Sequence, residues 1–271
     1  MQTTIIKPQK GFASLNIGEI IKYRELFITL VSRDIKVRYK QTVIGGLWAI
    51  IQPLSTMVLF SFFFGKIAKI PSDGIPYPIF SYAGLLLWTY FSGAVNTASN
   101  SIASNVGLIT KVYFPRPIIP LAATMVGLID YAIALVILIG LMTVYGYRPT
   151  VNILLLPLIL FLTWMFSAGI SLWFSATNVL FRDMRIILSF IMQLWIYATP
   201  VIYPLSVAGQ FKWIVTLNPL TGLIEAHRSM FLGTPMVSFG ILMYSALIAF
   251  IVFWTGMVYF KSVERRFADE I

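Results

Sequence analysis

IIPLAATMVGLIDYAIALVILIGLMTVY, residues 118–145, carries one charged side chain, Asp130, in twenty-eight positions. An apolar helix of about 20 residues crosses roughly 30 Å of hydrocarbon. This run is therefore long enough to span a bilayer with room to tilt or kink. Comparable runs lie on either side of it, at 44–64 and 79–98 before, and at 153–179, 186–203 and 237–260 after. The expected fold is all-α and polytopic, with six transmembrane helices and both termini on one side. Composition agrees. The chain is 58% hydrophobic and 11% charged, where soluble domains run about 45–50% and 25%.

The net charge of +10 resolves into a topology signal once its distribution is read. Lys7, Lys10, Lys22, Arg24, Arg33, Lys36, Arg38 and Lys40 precede the first run. Lys111 and Arg116, then Arg182 and Arg185, then Lys261, Arg265 and Arg266 fall on the same side. Only Lys66, Lys69, Arg148, Lys212 and Arg228 fall on the other. Cytoplasmic loops hold the excess of Lys and Arg, so both termini are expected in the cytoplasm, and nucleic-acid binding is not needed to explain the charge. No cleavable signal is evident, and the first forty residues are charged throughout.

Several functions are excluded by what the sequence lacks. With no Cys and one His, His227, disulfides and thiolate metal centres drop out. No G-x-x-x-x-G-K-[ST] phosphate loop exists; the one Gly–Lys pair, Gly65–Lys66, is followed by Ile67. The ten acids show no general acid–base pair, which argues against a membrane glycosyl or acyl transferase. Asp130 is the one acid inside a span, a costly position unless it faces the bundle interior or a wet cavity. Three roles stay open for it: hydrogen bonding between helices, the transport path, or proton coupling.

Residues 20–40, IIKYRELFITLVSRDIKVRYK, are too charged to span. On a helix, Tyr23, Leu26, Phe27, Leu30, Val31 and Val37 share one side. Asp34 and Arg38 interrupt that stripe but can pair at i,i+4. Such a helix lies in the membrane surface, as an anchor or as a docking surface for a cytoplasmic partner, behind a flexible arm at 1–19. Residues 20–271 read as one transmembrane domain. Between Pro204 and Pro235 an apolar core at 213–224 is broken by Asn218–Pro219 and cannot cross. It reads as two short re-entrant helices in the outer leaflet, either a gate (Pro204, Trp213, Asn218, Pro219) or an inert cap.

Aromatic residues are abundant within the spans. Trp48, Trp88, Trp164, Trp173 and Trp195 are joined there by Tyr82, Tyr90 and Tyr197. An aromatic ring offers a flat face to a sugar's C–H groups, while Gln52, Thr56, Asn96, Asn100 and Gln193 could meet its hydroxyls. Packing and interfacial belts explain many of these rings equally well. Trp48, Phe60, Trp88, Tyr90, Trp195 and Tyr197 are the candidates for a substrate path.

Five segments in order, RYKQTVIGGLWAIIQP (38–53), NVGLITKVYFPR (105–116), FRDMR (181–185), TPVIY (199–203) and Asn218–Pro219, resemble ABC type-2 exporter permeases of the bacterial polysaccharide class. O-antigen and capsule exporters are the nearest in pattern, with teichoic acid exporters as relatives; a small-lipid or drug exporter is the alternative within the superfamily. The resemblance implies a homodimeric channel above two copies of a separate ATPase, which would hold ATP and Mg. It implies that the helix at 20–40, with Leu26, Leu30, Val31, Asp34 and Arg38, contacts that ATPase. It assigns coupling to Val106, Gly107, Leu108, Ile109, Lys111, Val112 and Tyr113, and to Arg182, Asp183 and Arg185. It makes the cargo a polyprenyl-diphosphate-linked polysaccharide, exported across the inner membrane by a subunit that is not itself an enzyme.

Overall fold

The computed structural model describes residues 18, 22–40, 45–181, 183–264 and 266–267. Every regular element among them is helical. Helix α1 is Arg24–Lys40. Helix α2, Trp48–Phe60, continues through π-helical turns at Ser61–Ile67. Then come α3, Tyr77–Ser99, the short α4 and α5 at Ser101–Ser104 and Val106–Ile109, and α6, Ile118–Tyr145. A 3-10 segment, Val151–Leu155, leads into α7, Leu156–Leu180. Helix α8 is Met184–Trp195; a 3-10 segment, Leu205–Phe211, precedes α9, Lys212–Leu217, and α10, Pro219–Leu232; α11 is Phe239–Glu264.

Four helices are long and apolar enough to cross a membrane: Trp48–Ile67, Ile118–Tyr145, Val151–Leu180 and Phe239–Glu264. Helix α3 has 23 residues and so rises about 34 Å. It is more polar than these four, and it sits at the centre of the bundle. Most of its length is buried, including Ser81, Tyr82 and Trp88, so its polar groups meet protein rather than lipid. The fifth apolar run, expected across 186–203, is helical only through Trp195. Pro200 has no N–H to give and disfavours the helical region for the residue before it; the chain turns over 196–201 instead.

Close approach fixes the tightest helix pair. A Cβ on Gly169 of α7 would stand 2.6 Å from the α11 backbone at Phe253, and one on Gly256 would stand 2.4 Å from the Gly169 carbonyl oxygen. Lipid tails give apolar side chains no preference for protein over bilayer, so helices associate where small residues let backbones touch.

The bundle has two distinct ends. At one, α1, α4, α5 and the last turn of α11 meet in a second apolar core around Leu30, Ile102, Phe114, Ile118 and Phe260. Arg116 Nη1 donates to the Glu264 carbonyl oxygen at 2.8 Å there. At the other end, the Tyr77 hydroxyl donates to the Ile202 carbonyl oxygen at 2.7 Å, and the Thr150 amide to the Met230 carbonyl oxygen at 2.9 Å.

Two expectations about α1 change. Leu30 is buried, and Tyr23, Leu26, Phe27 and Val31 pack beside it on the second core, so the helix is bound to the bundle and not only to a membrane surface. Val37 is exposed, off the expected stripe. The arm at 1–17 lies outside the described residues.

Candidate functional site

Asp130 is where the arm-side helix meets the spans. It lies 12 residues into α6, about 18 Å from the helix start. Its Oδ2 is 2.6 Å from Arg38 Nη2, and its Oδ1 accepts a hydrogen bond from the Tyr39 hydroxyl. The expected Asp34–Arg38 pair is replaced. Arg38 reaches the deeper carboxylate, and Asp34 pairs with Arg33 at 2.7 Å. Burial first, and then the Asp130 carboxylate, push the Tyr39 hydroxyl up, so it stays a neutral donor. An intra-span acid needs a partner, and the Arg38–Tyr39 doublet just before the first span was the available signal.

These groups line a cavity of about 360 Å³ walled by α1, α2, α3 and α6. Trp48, Gln52 and Asn96, singled out in the sequence, come together on its wall. Trp48 is 55% exposed. The other path candidates divide. Tyr197 is exposed; Phe60 and Trp195 are half-buried. Trp88 at 5% and Tyr90 at 2% exposure pack within the core, because both project from the central helix α3. Trp88 meets Phe91 at 5.6 Å between centroids, and Trp195 meets Phe91 at 5.5 Å. Within this protomer Trp88 and Trp195 are packing rings, while Tyr90, though buried, also lines the cavity wall.

The coupling candidates divide in the same way. Ile109 is buried and Leu108 half-buried against the second core, so the apolar side of α5 faces inward. Val106 is half-buried; Gly107, Lys111, Val112 and Tyr113 are exposed, Tyr113 at 79%. Asp183 and Arg185 are exposed at the same end; Arg182 lies outside the described residues.

At the opposite end α9 carries an exposed Trp213. Asn218 caps α10, its Oδ1 accepting from the Leu220 amide at 3.1 Å while its Nδ2 donates to Thr199 Oγ1 at 2.8 Å. Pro219 occupies the first turn, where a missing N–H is harmless. Pro204 is buried. Helix α10 is not a shallow dip: all fourteen of its residues are buried. Arg228, which the charge distribution assigned to a surface, is fully buried. Its Nη1 donates to Glu225 Oε1 at 2.7 Å, and its Nη2 donates to the carbonyl oxygens of Pro200 and Val201 at 3.0 and 3.2 Å. The guanidinium lies 3.8 Å from the Phe80 ring centroid. A Cβ on Gly84 would stand 2.6 Å from Nη2, so only glycine leaves the arginine room. His227 Nε2 is 2.7 Å from the Tyr131 hydroxyl. This polar cluster was missed at the sequence level, although the Glu225–Arg228 spacing is helical.

A helical bundle with four helices long and apolar enough to cross a membrane, a docked arm-side helix and a buried polar helix is the architecture of a membrane-embedded protein, and similarity to known proteins makes that class a transporter subunit. The chain belongs to the ABC-2 type transporter family, whose model matches residues 25–232. It is 30% identical over 259 residues to the O-antigen export system permease protein RfbA of Myxococcus xanthus, covering 94% of this chain and 98% of that one. It is 31% identical over 256 residues to RfbA of Klebsiella pneumoniae, covering 94% and 96%. Similarity to the polysialic acid transport protein KpsM of Escherichia coli is 26% over 243 residues, covering 87% and 92%.

Proposed function

We propose that this chain is the membrane subunit of an ATP-driven exporter for a lipid-linked, O-antigen-like polysaccharide. Two copies form the channel. Two copies of a separate ATPase, holding ATP and Mg, dock at the end bearing α1, α5 and the α7–α8 loop. That end faces the cytoplasm, a reading supported by its excess of Lys and Arg, and the α9–α10 end closes the exit.

The observation that carries this reading is a pair of faces. Helices α2 and α8 are the least buried of the apolar helices, and both expose amides and aromatic rings together: Gln52, Phe62 and Phe63 on one, Gln193 and Phe190 on the other. An amide turned toward lipid is costly, so these faces border a second protein surface or a wet path. The names of the full-length relatives supply the substrate class. The similarity to KpsM supports a capsular polysaccharide as the second reading.

The gene is deleted in its host, and surface polysaccharide and intracellular lipid-linked polysaccharide are both measured. Loss at the surface with accumulation inside, reversed by the wild-type chain, is the expected result. Unchanged surface polysaccharide would reject the reading.

A further inference from the structure

The cavity beside Asp130 has a chemistry of its own. Among the described residues, its one lining cation, Arg38, and its one lining anion, Asp130, lie 2.6 Å apart, so their charges offset. The remaining polar wall is neutral, with the Gln52 and Asn96 amides and the Thr89 and Thr97 hydroxyls among its groups. The Asn96 Nδ2 is turned to its own helix, donating to the Ser92 carbonyl oxygen at 2.9 Å, which leaves its Oδ1 as an acceptor for something else. Gln52 hydrogen-bonds through its backbone oxygen, to Thr56, and its side-chain amide has no partner among the described residues. Trp48 supplies an exposed ring at the rim. A volume of about 360 Å³ is at the small end of the roughly 300–1,000 Å³ of ligand sites.

Amides and hydroxyls that donate and accept, an exposed flat ring at the rim and no net charge match a neutral pyranose. They match a diphosphate poorly, since an anion would meet a carboxylate and a guanidinium already engaged. We propose that this cavity is a holding subsite for one or two neutral sugar residues of the cargo, separate from wherever the carrier's diphosphate binds. The proposal rests on the export reading above. It adds that a discrete pocket inside one protomer, and not only a surface shared between copies, holds the glycan between steps.

The chain has no cysteine, so Gln52→Cys and Thr97→Cys each give it a single thiol. The full transporter with its ATPase is tested in membranes from three host strains. One makes the complete glycan, one stops at the carrier primed with its first sugar, and one makes neither. Hydrolysis is blocked with vanadate, and labelling of this chain by N-ethylmaleimide is timed. About four-fifths occupancy would slow labelling about fivefold. That slowing is expected at both positions in the complete-glycan strain alone, with Ser262→Cys, exposed on α11, labelled equally in all three. Equal labelling of Gln52→Cys and Thr97→Cys across the strains overturns the proposal. So does full protection by the primed carrier, which would make the cavity a headgroup site. Lost export on gene deletion together with unprotected thiols rejects the cavity and keeps the export reading; intact export on deletion rejects both.

Discussion

The Arg228 guanidinium is held by a carboxylate, two carbonyl oxygens and an aromatic face, with no water-exposed edge. Removing one member of such a pair leaves the other charge buried and unmatched, at a cost of about 3–5 kcal/mol, whereas removing both is far milder. Arg228→Met should therefore lower the melting temperature of the purified protein sharply, and Arg228→Met with Glu225→Gln should recover most of the loss. Equal losses in the single and double variants would show that the pair is not the stabilising unit. The Arg38–Asp130 pair differs because Arg38 is substantially exposed. A double-mutant cycle with Arg38→Gln and Asp130→Asn should give a stability coupling near 1 kcal/mol but a large loss of transport, since the pair ties the arm-side helix to the spans. Transport by Asp130→Asn at wild-type rate would reject that tie. Asp130 was legible in the sequence as an exceptional residue; its partners were not. The i,i+4 spacing made Asp34 the nearer choice for Arg38, but Asp34 is served by Arg33, while a carboxylate at bilayer depth has more to gain from the cation. Arg228 was misread because positive-inside counting treats every cation as a loop residue, and α10 is no loop.

At the scale of elements, hydropathy found the apolar helices, four of them long enough to span, but not their ends, because where a helix stops depends on local chemistry rather than on mean apolarity. The helix of the fifth run stops before Pro200, whose carbonyl oxygen then serves Arg228. This break was visible as a proline; what filled it was not. The Asn218–Pro219 break proved to be a helix start, with a side-chain cap and a proline in the first turn. Asn218→Ala removes both that cap and the tie to Thr199, so a loss of about 1 kcal/mol is expected, with a measurable rise in passive leak through the reconstituted transporter. Unaltered leak would leave α10 a structural wedge with no gating role. For α5, the family resemblance assigned Val106, Leu108, Ile109 and Val112 to coupling, yet Leu108 and Ile109 turn into the second core. Leu108→Asp would then fail by unfolding, which says nothing about coupling. Tyr113→Ala is the cleaner probe: normal melting temperature, with stimulated ATP turnover reduced about tenfold. Ile109→Ala should instead lower stability by about 2 kcal/mol. If Tyr113→Ala couples normally, the exposed loop is not the docking surface.

For the whole molecule the deciding feature is which apolar surface remains uncovered. Helix α11 presents Leu247, Phe250, Ile251 and Trp254 outward, an apolar stripe. The exposed Thr255 hydroxyl beside that stripe is turned to its own backbone at 2.8 Å. That face is suited to lipid. Helices α2 and α8 differ, because Gln52 and Gln193 stand among their exposed rings, and an amide has no partner in hydrocarbon. Helix α3 packs against both of them, so the two faces flank one wall of the protomer. A second copy related by a two-fold axis would cover that wall and leave α11 to lipid, as an isologous interface requires. The absence of native cysteine makes this directly measurable. Phe62→Cys and Phe190→Cys in one chain should yield a cross-linked dimer on mild oxidation in native membranes, and at a higher yield than Phe250→Cys with Trp254→Cys on the α11 face. The yield should change when ATP hydrolysis is trapped, because these faces would move as the path opens. Cross-linking through α11 alone would put the dimer seam on the lipid-like stripe and leave the α2 and α8 amides without a partner.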